Sequence, residues 1–261
     1  MHENTTSGLL QLTPVGVIRS CYQQNFSIPR QPGLAQSALS VLILERTCDL
    51  DPKAMTEGIG QFSHLWVIFR FHQLKLNSKP RAKVRPPRLG GEKSTGVFAT
   101  RSPYRPNPIG LSAVEVISVN SSLKNQVRII VKGGDFLDHT PILDIKPYLP
   151  YSDIRHQATT KLPRSGSDLT PVNVCLDPKV SELIKREGKT LATALKETVI
   201  QTLKTDPRPS WKKRKFPGSE SHQYHSIFYG IDFEWKIQDF IITVFDAKIS
   251  DPDIIALFQE S

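Results

Sequence analysis

Residues 81–112 read RAKVRPPRLGGEKSTGVFATRSPYRPNPIGLS and carry seven cations, Arg81, Lys83, Arg85, Arg88, Lys93, Arg101 and Arg105, against one acid, Glu92. Five prolines and four glycines punctuate the stretch, so it is neither a long helix nor a central strand. It reads as a shaped loop around one short strand at 96–99. A loop this long and cationic suits an anionic ligand such as RNA or a nucleotide. A solvated surface loop is the plain alternative, weakest at RSPYRPNPIG, where prolines on both sides of Asn107 fix its side chain. Further groups with chemistry lie outside this stretch. Arg30 and Gln31 sit in a second Pro/Gly segment, 25–38. His72 and Gln73 end the apolar run LWVIFRF and are placed to face a ligand, whereas His64 at its other end reads as a structural histidine. Asp135, Asp138 and Asp144 crowd a Pro-rich turn, where one is a candidate general base or ligand acceptor and the alternative is turn capping. The run WKKRK, residues 211–215, places four consecutive cations beside Trp211. It is a phosphate-contacting patch or a solvated face.

Other chemistries lack their residues. LGGEKSTG differs from a phosphate-binding P-loop because Glu92 separates the glycines from Lys93. Gly133-Gly134 lacks the spacing of a dinucleotide fingerprint, so a Rossmann site is not expected. His64 and His72 have no third ligand near them in sequence, so no metal site is expected. Cys21, Cys48 and Cys175 form neither a disulfide framework nor a zinc pattern and read as reduced thiols. The 261 residues carry a net charge of +9, which favours a polyanionic partner. With no membrane-spanning apolar run and no signal-peptide core, the sequence reads as a soluble cytoplasmic protein.

The elements that must position these groups are mostly strands. Runs rich in β-branched and aromatic residues at 12–20, 41–45, 65–71, 111–119 and 127–131, with Gly/Pro punctuation, predict a closed or nearly closed β-barrel over 11–153. Polar residues 154–171, broken by Pro163, Gly166 and Pro171, read as a linker. From 172 to 261 the pattern changes to a small α+β domain. Asp177-Pro178 caps a helix, and Leu191, Leu195, Val199 and Leu203 give an amphipathic helix over 189–204. Residues 226–237 read as one alternating strand and 240–245 as its hairpin partner. Residues 1–10 are polar and read as frayed.

RQPG (30–33), QFSHLWVIFRFHQ (61–73), VRPPRLGG (84–91), GVFATRSPYRPNPIGLS (96–112), DIKPYLP (144–150) and DPRPSW (206–211) resemble the TrmO family, also called TsaA-like or YaeB-like. Five of these motifs span the expected barrel and the sixth lies in the second domain. The resemblance implies a non-Rossmann, homodimeric, S-adenosylmethionine-dependent tRNA N6-methyltransferase. Its substrate would be N6-threonylcarbamoyladenosine at position 37, beside the anticodon of threonine tRNA. Carried over by motif, the methyl donor would lie against Arg30, Gln31, Pro32, His72, Gln73, Arg101, Leu111 and the turn Asp138, His139, Thr140, Pro141. The family usually has glycine where this chain has His139, which puts the backbone approach there in question. Asp138 and His72 are the candidate general bases. Arg85, Arg88, Arg105, Arg208, Lys212, Lys213, Arg214 and Lys215 are the candidate RNA contacts. The rival function is a non-catalytic RNA-binding barrel, which would need no donor pocket.

Overall fold

Strand residues of the first half alternate tightly enough to bury one face each. The computed structural model describes residues 11–74, 79–86, 94–160 and 172–259; the expectations for 1–10, for Arg88 and Lys93, and for most of the linker lie outside them. The elements of the first half are β1 (Gly16–Ser20), β2 (Leu39–Glu45), α1 (Pro52–Met55), β3 (His64–Arg70), β4 (Lys83–Val84), β5 (Thr95–Gly96), β6 (Ile109–Asn120), β7 (Gln126–Lys132), β8 (Thr140–Pro147) and α2 (Pro150–Asp153). Six of these strands close into an antiparallel ring in the order β1-β2-β7-β6-β3-β8, with β8 returning to pair with β1. Closure leaves no strand edge in this sheet to be covered. Ile18, Leu42, Leu65, Val67, Val127, Ile129 and Phe136 fill its interior.

Two expectations need correction here. The strand foreseen at 96–99 is a ribbon end followed by a turn: Thr95–Gly96 pairs with Lys83–Val84, and Val97–Ala99 then winds into one 3-10 turn closed by Thr100 N–H on Val97 O. The Pro-rich turn foreseen within 135–153 is largely β8, whose prolines, Pro141 and Pro147, stand at its second and last residues. There a missing amide donor costs least.

The second half contains β9 (Asn173–Leu176), α3 (Pro178–Lys185), α4 (Lys189–Lys204), α5 (Ser210–Lys215), β10 (Glu220–Phe228), β11 (Ile231–Gln238), β12 (Ile241–Ile249) and α6 (Pro252–Gln259). Asp177 caps α3 by accepting from Lys179 N at 3.0 Å, as its place before Pro178 requires. Leu191, Leu195, Val199 and Leu203 of α4 are all buried. The single strand expected at 226–237 is instead two. Tyr229 and Gly230 have φ of 53° and 77° and form a two-residue hairpin turn with Phe228 opposite Ile231. A Cβ on Gly230 would stand 2.1 Å from the Asp251 carbonyl oxygen, so glycine is required there. Asp239-Phe240 repeats the device before β12, both with positive φ.

The two halves share a core. β2 is buried on both faces: Leu42 and Leu44 point into the ring, while Val41 and Ile43 join a cluster containing Leu195, Phe228, Phe233 and Trp235. Cys21 O accepts from Tyr229 N at 2.9 Å, Tyr22 Oη lies 3.2 Å from Thr202 Oγ1, and Leu39 N donates to Tyr229 Oη at 2.9 Å. No helix among the described residues is long and apolar enough to cross a membrane.

Candidate active site

The ring delivers its polar residues to one end. β3 stops at Arg70, where Phe71 N–H bonds Pro108 O at 2.8 Å, and this leaves His72 and Gln73 in the following loop. Three side-chain hydrogen bonds then tie together all four segments expected to hold a donor. Arg101 donates Nη1 to Gln31 Oε1 at 2.7 Å. Asn25, on the same loop as Gln31, donates to Gln73 Oε1 at 3.0 Å. His72 Nδ1 lies 3.3 Å from Thr140 Oγ1. Arg30 is exposed, Gln31 and Pro32 are half-buried, and Pro141 is half-buried beside Thr140. Leu111 is 50% exposed on β6, one residue before Ser112, whose hydroxyl donates to Asp135 at 2.6 Å.

The turn 138–141 is built around Asp138. Its carboxylate accepts from Arg19 Nε at 3.0 and 3.3 Å and from Ser20 N at 2.8 Å, and His139 Nε2 stands 3.4 Å away. Asp138 is only 6% exposed. His139 has φ of 62°, the left-handed backbone that glycine adopts without penalty. The turn therefore keeps the form a glycine would give it, at a cost on the order of 1 kcal/mol for a side chain in that region. His139 itself points to solvent, 67% exposed.

Electrostatics separate the two candidate bases. Thr140 Oγ1 spends its one proton on Leu137 O at 2.6 Å, so His72 donates Nδ1–H to Thr140 and its lone pair lies on Nε2. Burial holds His72 below the ordinary histidine pKa and the neighbouring His139 adds to it, against the opposing pull of the Asp138 backbone and carboxylate. His72 is thus neutral at neutral pH and able to accept a proton. Asp138 is engaged through both oxygens, which leaves it poorly placed to act as a base. Burial also pushes the Asp135 carboxyl up, with Ser112 and then Arg101 opposing. Asp144 is outside this cluster, bonding Ile145 N and Lys146.

The candidate RNA contacts divide by exposure. Arg85 follows β4 and is exposed, and Arg105 is half-buried near Pro106. Arg208 corrects the sequence reading. It is 0% exposed, gripping both oxygens of Asp206 at 2.9 and 2.8 Å and donating to Phe216 O and Pro217 O. A guanidinium with every edge occupied has nothing left for a phosphate; its work is to fix α5. Lys212 is likewise committed, at 2.9 Å from both Tyr224 Oη and Glu220 Oε1. Arg214, Lys215 and Trp211 remain exposed on α5. Arg19, Asn25 and Ser112 were not foreseen as site residues. A cation in the Val/Ile strand around Arg19 was the available signal, since strand charges beside buried positions need a partner. Among the described residues there is no group of three His, Cys, Asp or Glu side chains that could hold a metal.

This arrangement, a closed mainly-β ring joined to a second domain with its polar groups gathered outside the strand ends, is not the doubly wound sheet of a dinucleotide-binding enzyme. Residues 17–154 match the model of the tRNA-methyltransferase O N-terminal domain, and residues 170–249 that of the TrmO C-terminal domain. The chain belongs to the TrmO family. It is 41% identical over 229 residues to a putative S-adenosylmethionine-dependent methyltransferase, RcsF, of Pseudomonas aeruginosa, covering 86% of this chain and 91% of that one. It is 36% identical over 241 residues to the tRNA (adenine(37)-N6)-methyltransferase of Escherichia coli, covering 90% and 96% respectively. The crystal structure of TrmO from Pseudomonas aeruginosa superposes with a TM-score of 0.67 at 32% identity, covering 92% of this chain and 99% of that one.

Proposed function

We propose that this chain is an S-adenosylmethionine-dependent tRNA methyltransferase acting on N6 of adenosine 37, with the N6-threonylcarbamoyl form in threonine tRNA as its substrate and a homodimer as its working form. The observation that carries this reading is the chain of three hydrogen bonds linking Gln31 to Arg101, Asn25 to Gln73 and His72 to Thr140. Four sequence-distant segments thereby share one surface. Their chemistry fits an amphipathic zwitterionic donor: a guanidinium oriented by Gln31 for a carboxylate, the exposed Leu111 side chain for apolar contact, and the strained backbone at His139 for close approach.

When bound, the donor supplies a methyl group already activated by a sulfonium. The protein's own task is alignment, for which proximity alone supplies about 7–11 kcal/mol. Arg101 and Gln31 fix one end of the donor. Asp138, through Arg19 and Ser20, holds the turn rigid. His72 Nε2 takes the N6 proton, a carbamoylated N6–H being more acidic than a plain adenine amine; such a base contributes roughly 10²–10⁴-fold. Exposed cations on the 81–112 loop and on α5 hold the RNA through its phosphates.

Calorimetry with S-adenosylmethionine tests the reading. The wild type binds the donor and Arg101→Ala loses at least about tenfold in affinity, as loss of a charge-assisted hydrogen bond predicts, while its unfolding stays cooperative. No donor binding by the wild type would favour a non-catalytic RNA-binding protein instead.

A further inference from the structure

Phe98 is 79% exposed, yet it stands on a firmly built turn. The 3-10 turn that carries it is closed twice on Val97 O, by Thr100 N–H at 3.1 Å and by Thr100 Oγ1 at 2.8 Å. Val97 is buried beside it, and the Val97 amide donates to Ala82 O at 3.0 Å. A single exposed apolar side chain is ordinary, but this ring belongs to a hollow. Pro80, Ala82, Phe98, Ala99 and Pro106, together with Arg81, line a space of about 420 Å³ open to solvent. Its walls are fixed to each other. The Arg81 guanidinium lies 4.6 Å from the centroid of the Tyr104 ring, and Arg81 N–H donates to Tyr104 O at 3.0 Å. Of these lining side chains Arg81 alone can donate or accept a hydrogen bond, so an occupant is held there mainly by an apolar face.

The surroundings are cationic. Arg81, Lys83 and Arg85 are exposed on and around β4, and Arg101 is exposed three residues after Phe98. Glu92 is the single acid in the sequence between 79 and 112. An aromatic shelf among cations suits a flat ring on an anionic chain, with the base face on Phe98 and the phosphates on the cations. A second copy of this chain fits less well, since its own net charge of +9 would bring like charge to the patch. The hollow is also near the residues proposed to hold the donor. Arg101, bonded to Gln31 at 2.7 Å, follows Ala99 by two residues, a backbone span of at most about 7 Å. That is on the order of two nucleotide steps at about 3.4 Å each.

We infer that the Phe98 hollow receives an unstacked base of the tRNA immediately beside the adenosine that is methylated, and holds it by stacking. This rests on the tRNA reading above and adds to it a residue that positions the neighbouring nucleotide. Because every base has a π-face and the named walls offer few polar groups, the hollow fixes the path of the strand and is tolerant of base identity.

Phe98→Ala and Phe98→Tyr, made in the full chain, test this by fluorescence anisotropy with the anticodon stem-loop RNA. The RNA is used intact and with a single abasic residue just before or just after the target adenosine. Donor calorimetry, thermal unfolding and sedimentation are run alongside. The alanine variant should bind the intact RNA roughly tenfold more weakly, and the tyrosine variant should bind it almost as the wild type does. One of the two abasic RNAs should bind the wild type as weakly as the intact RNA binds the alanine variant, and that variant should lose nothing more on it. Donor affinity and the salt slope of RNA binding should not change, since no phosphate contact is removed. Unchanged RNA affinity in the alanine variant overturns the inference, as does a penalty that persists in full on both abasic RNAs. A loss confined to donor affinity assigns the hollow to the donor, and a fall in sedimenting mass assigns it to a second copy; each overturns the inference too. Failure of the wild type to bind the RNA at all would overturn the tRNA reading itself, an outcome distinct from these.

Discussion

At the scale of single residues, His72 and Asp138 have opposite assignments despite lying side by side. Asp138 is a structural anchor. Asp138→Ala strands Arg19 and the Ser20 amide and is expected to cost about 3 kcal/mol of stability, at the low end for breaking an enclosed ion pair because Arg19 is one-quarter exposed. Urea unfolding measures it, and loss of activity without loss of stability would contradict the assignment. In the proposed mechanism His72 acts in its neutral form. Its pKa lies below the ordinary value, so the single-turnover rate should be flat at neutral pH and fall as pH drops through that lowered pKa. The same sign holds for stability: the unfolded chain binds the proton more readily, so the fold loses stability as pH falls below the unfolded pKa. His72→Gln should remove the acidic limb along with roughly 10²–10⁴ of rate. An unshifted pH profile in that variant would place the base elsewhere.

At the scale of elements, α5 and β6 show how the site is held. Arg208→Met leaves the Asp206 carboxylate buried and unpaired, and about 3–5 kcal/mol of stability should be lost. tRNA affinity should fall with it, since the end of α5 loses the hydrogen bonds that Arg208 donates to Phe216 O and Pro217 O. On β6, a Cβ at Gly110 would stand 2.2 Å from the Phe69 ring, which is wedged edge-on between Phe71 and Phe136. Gly110→Ala should therefore cost about 1–3 kcal/mol by overpacking and disturb Leu111 next to it; calorimetric unfolding checks both changes. The elements were unevenly legible in the sequence. The bounds of α4 and the cap of α3 followed from apolar spacing and Asp177-Pro178 because both signals are local. The run 226–237 misled because its alternation continues through Tyr229-Gly230, and the bend there is imposed by a contact with Asp251 that sequence spacing does not encode. α6 and β9 were missed: each is short, and each is held by the second domain's sheet and core rather than by a pattern of its own. Arg208 misled for a related reason, since charge in sequence does not reveal that Asp206, two residues away, turns back to claim it.

At the scale of the molecule, the shared core along β2 and Cys21-Tyr22 joins the loops proposed to face the donor to the domain carrying α5. The segments carrying Gln31, His72, Arg101 and Thr140 meet, because ring closure places the end of β3 beside the starts of β6 and β8. If tRNA is held as proposed, the exposed cations of α5 are the ones placed to meet it: replacing Arg214 and Lys215 by Ser should flatten the salt dependence of tRNA binding by nearly one in logarithmic slope for each phosphate contact removed. The central claim concerns what this surface does. Methyl transfer from labelled S-adenosylmethionine should proceed onto threonine tRNA bearing N6-threonylcarbamoyladenosine at position 37, and not onto the same tRNA with plain adenosine there. Label on both tRNAs at equal rates, or on neither, would contradict it.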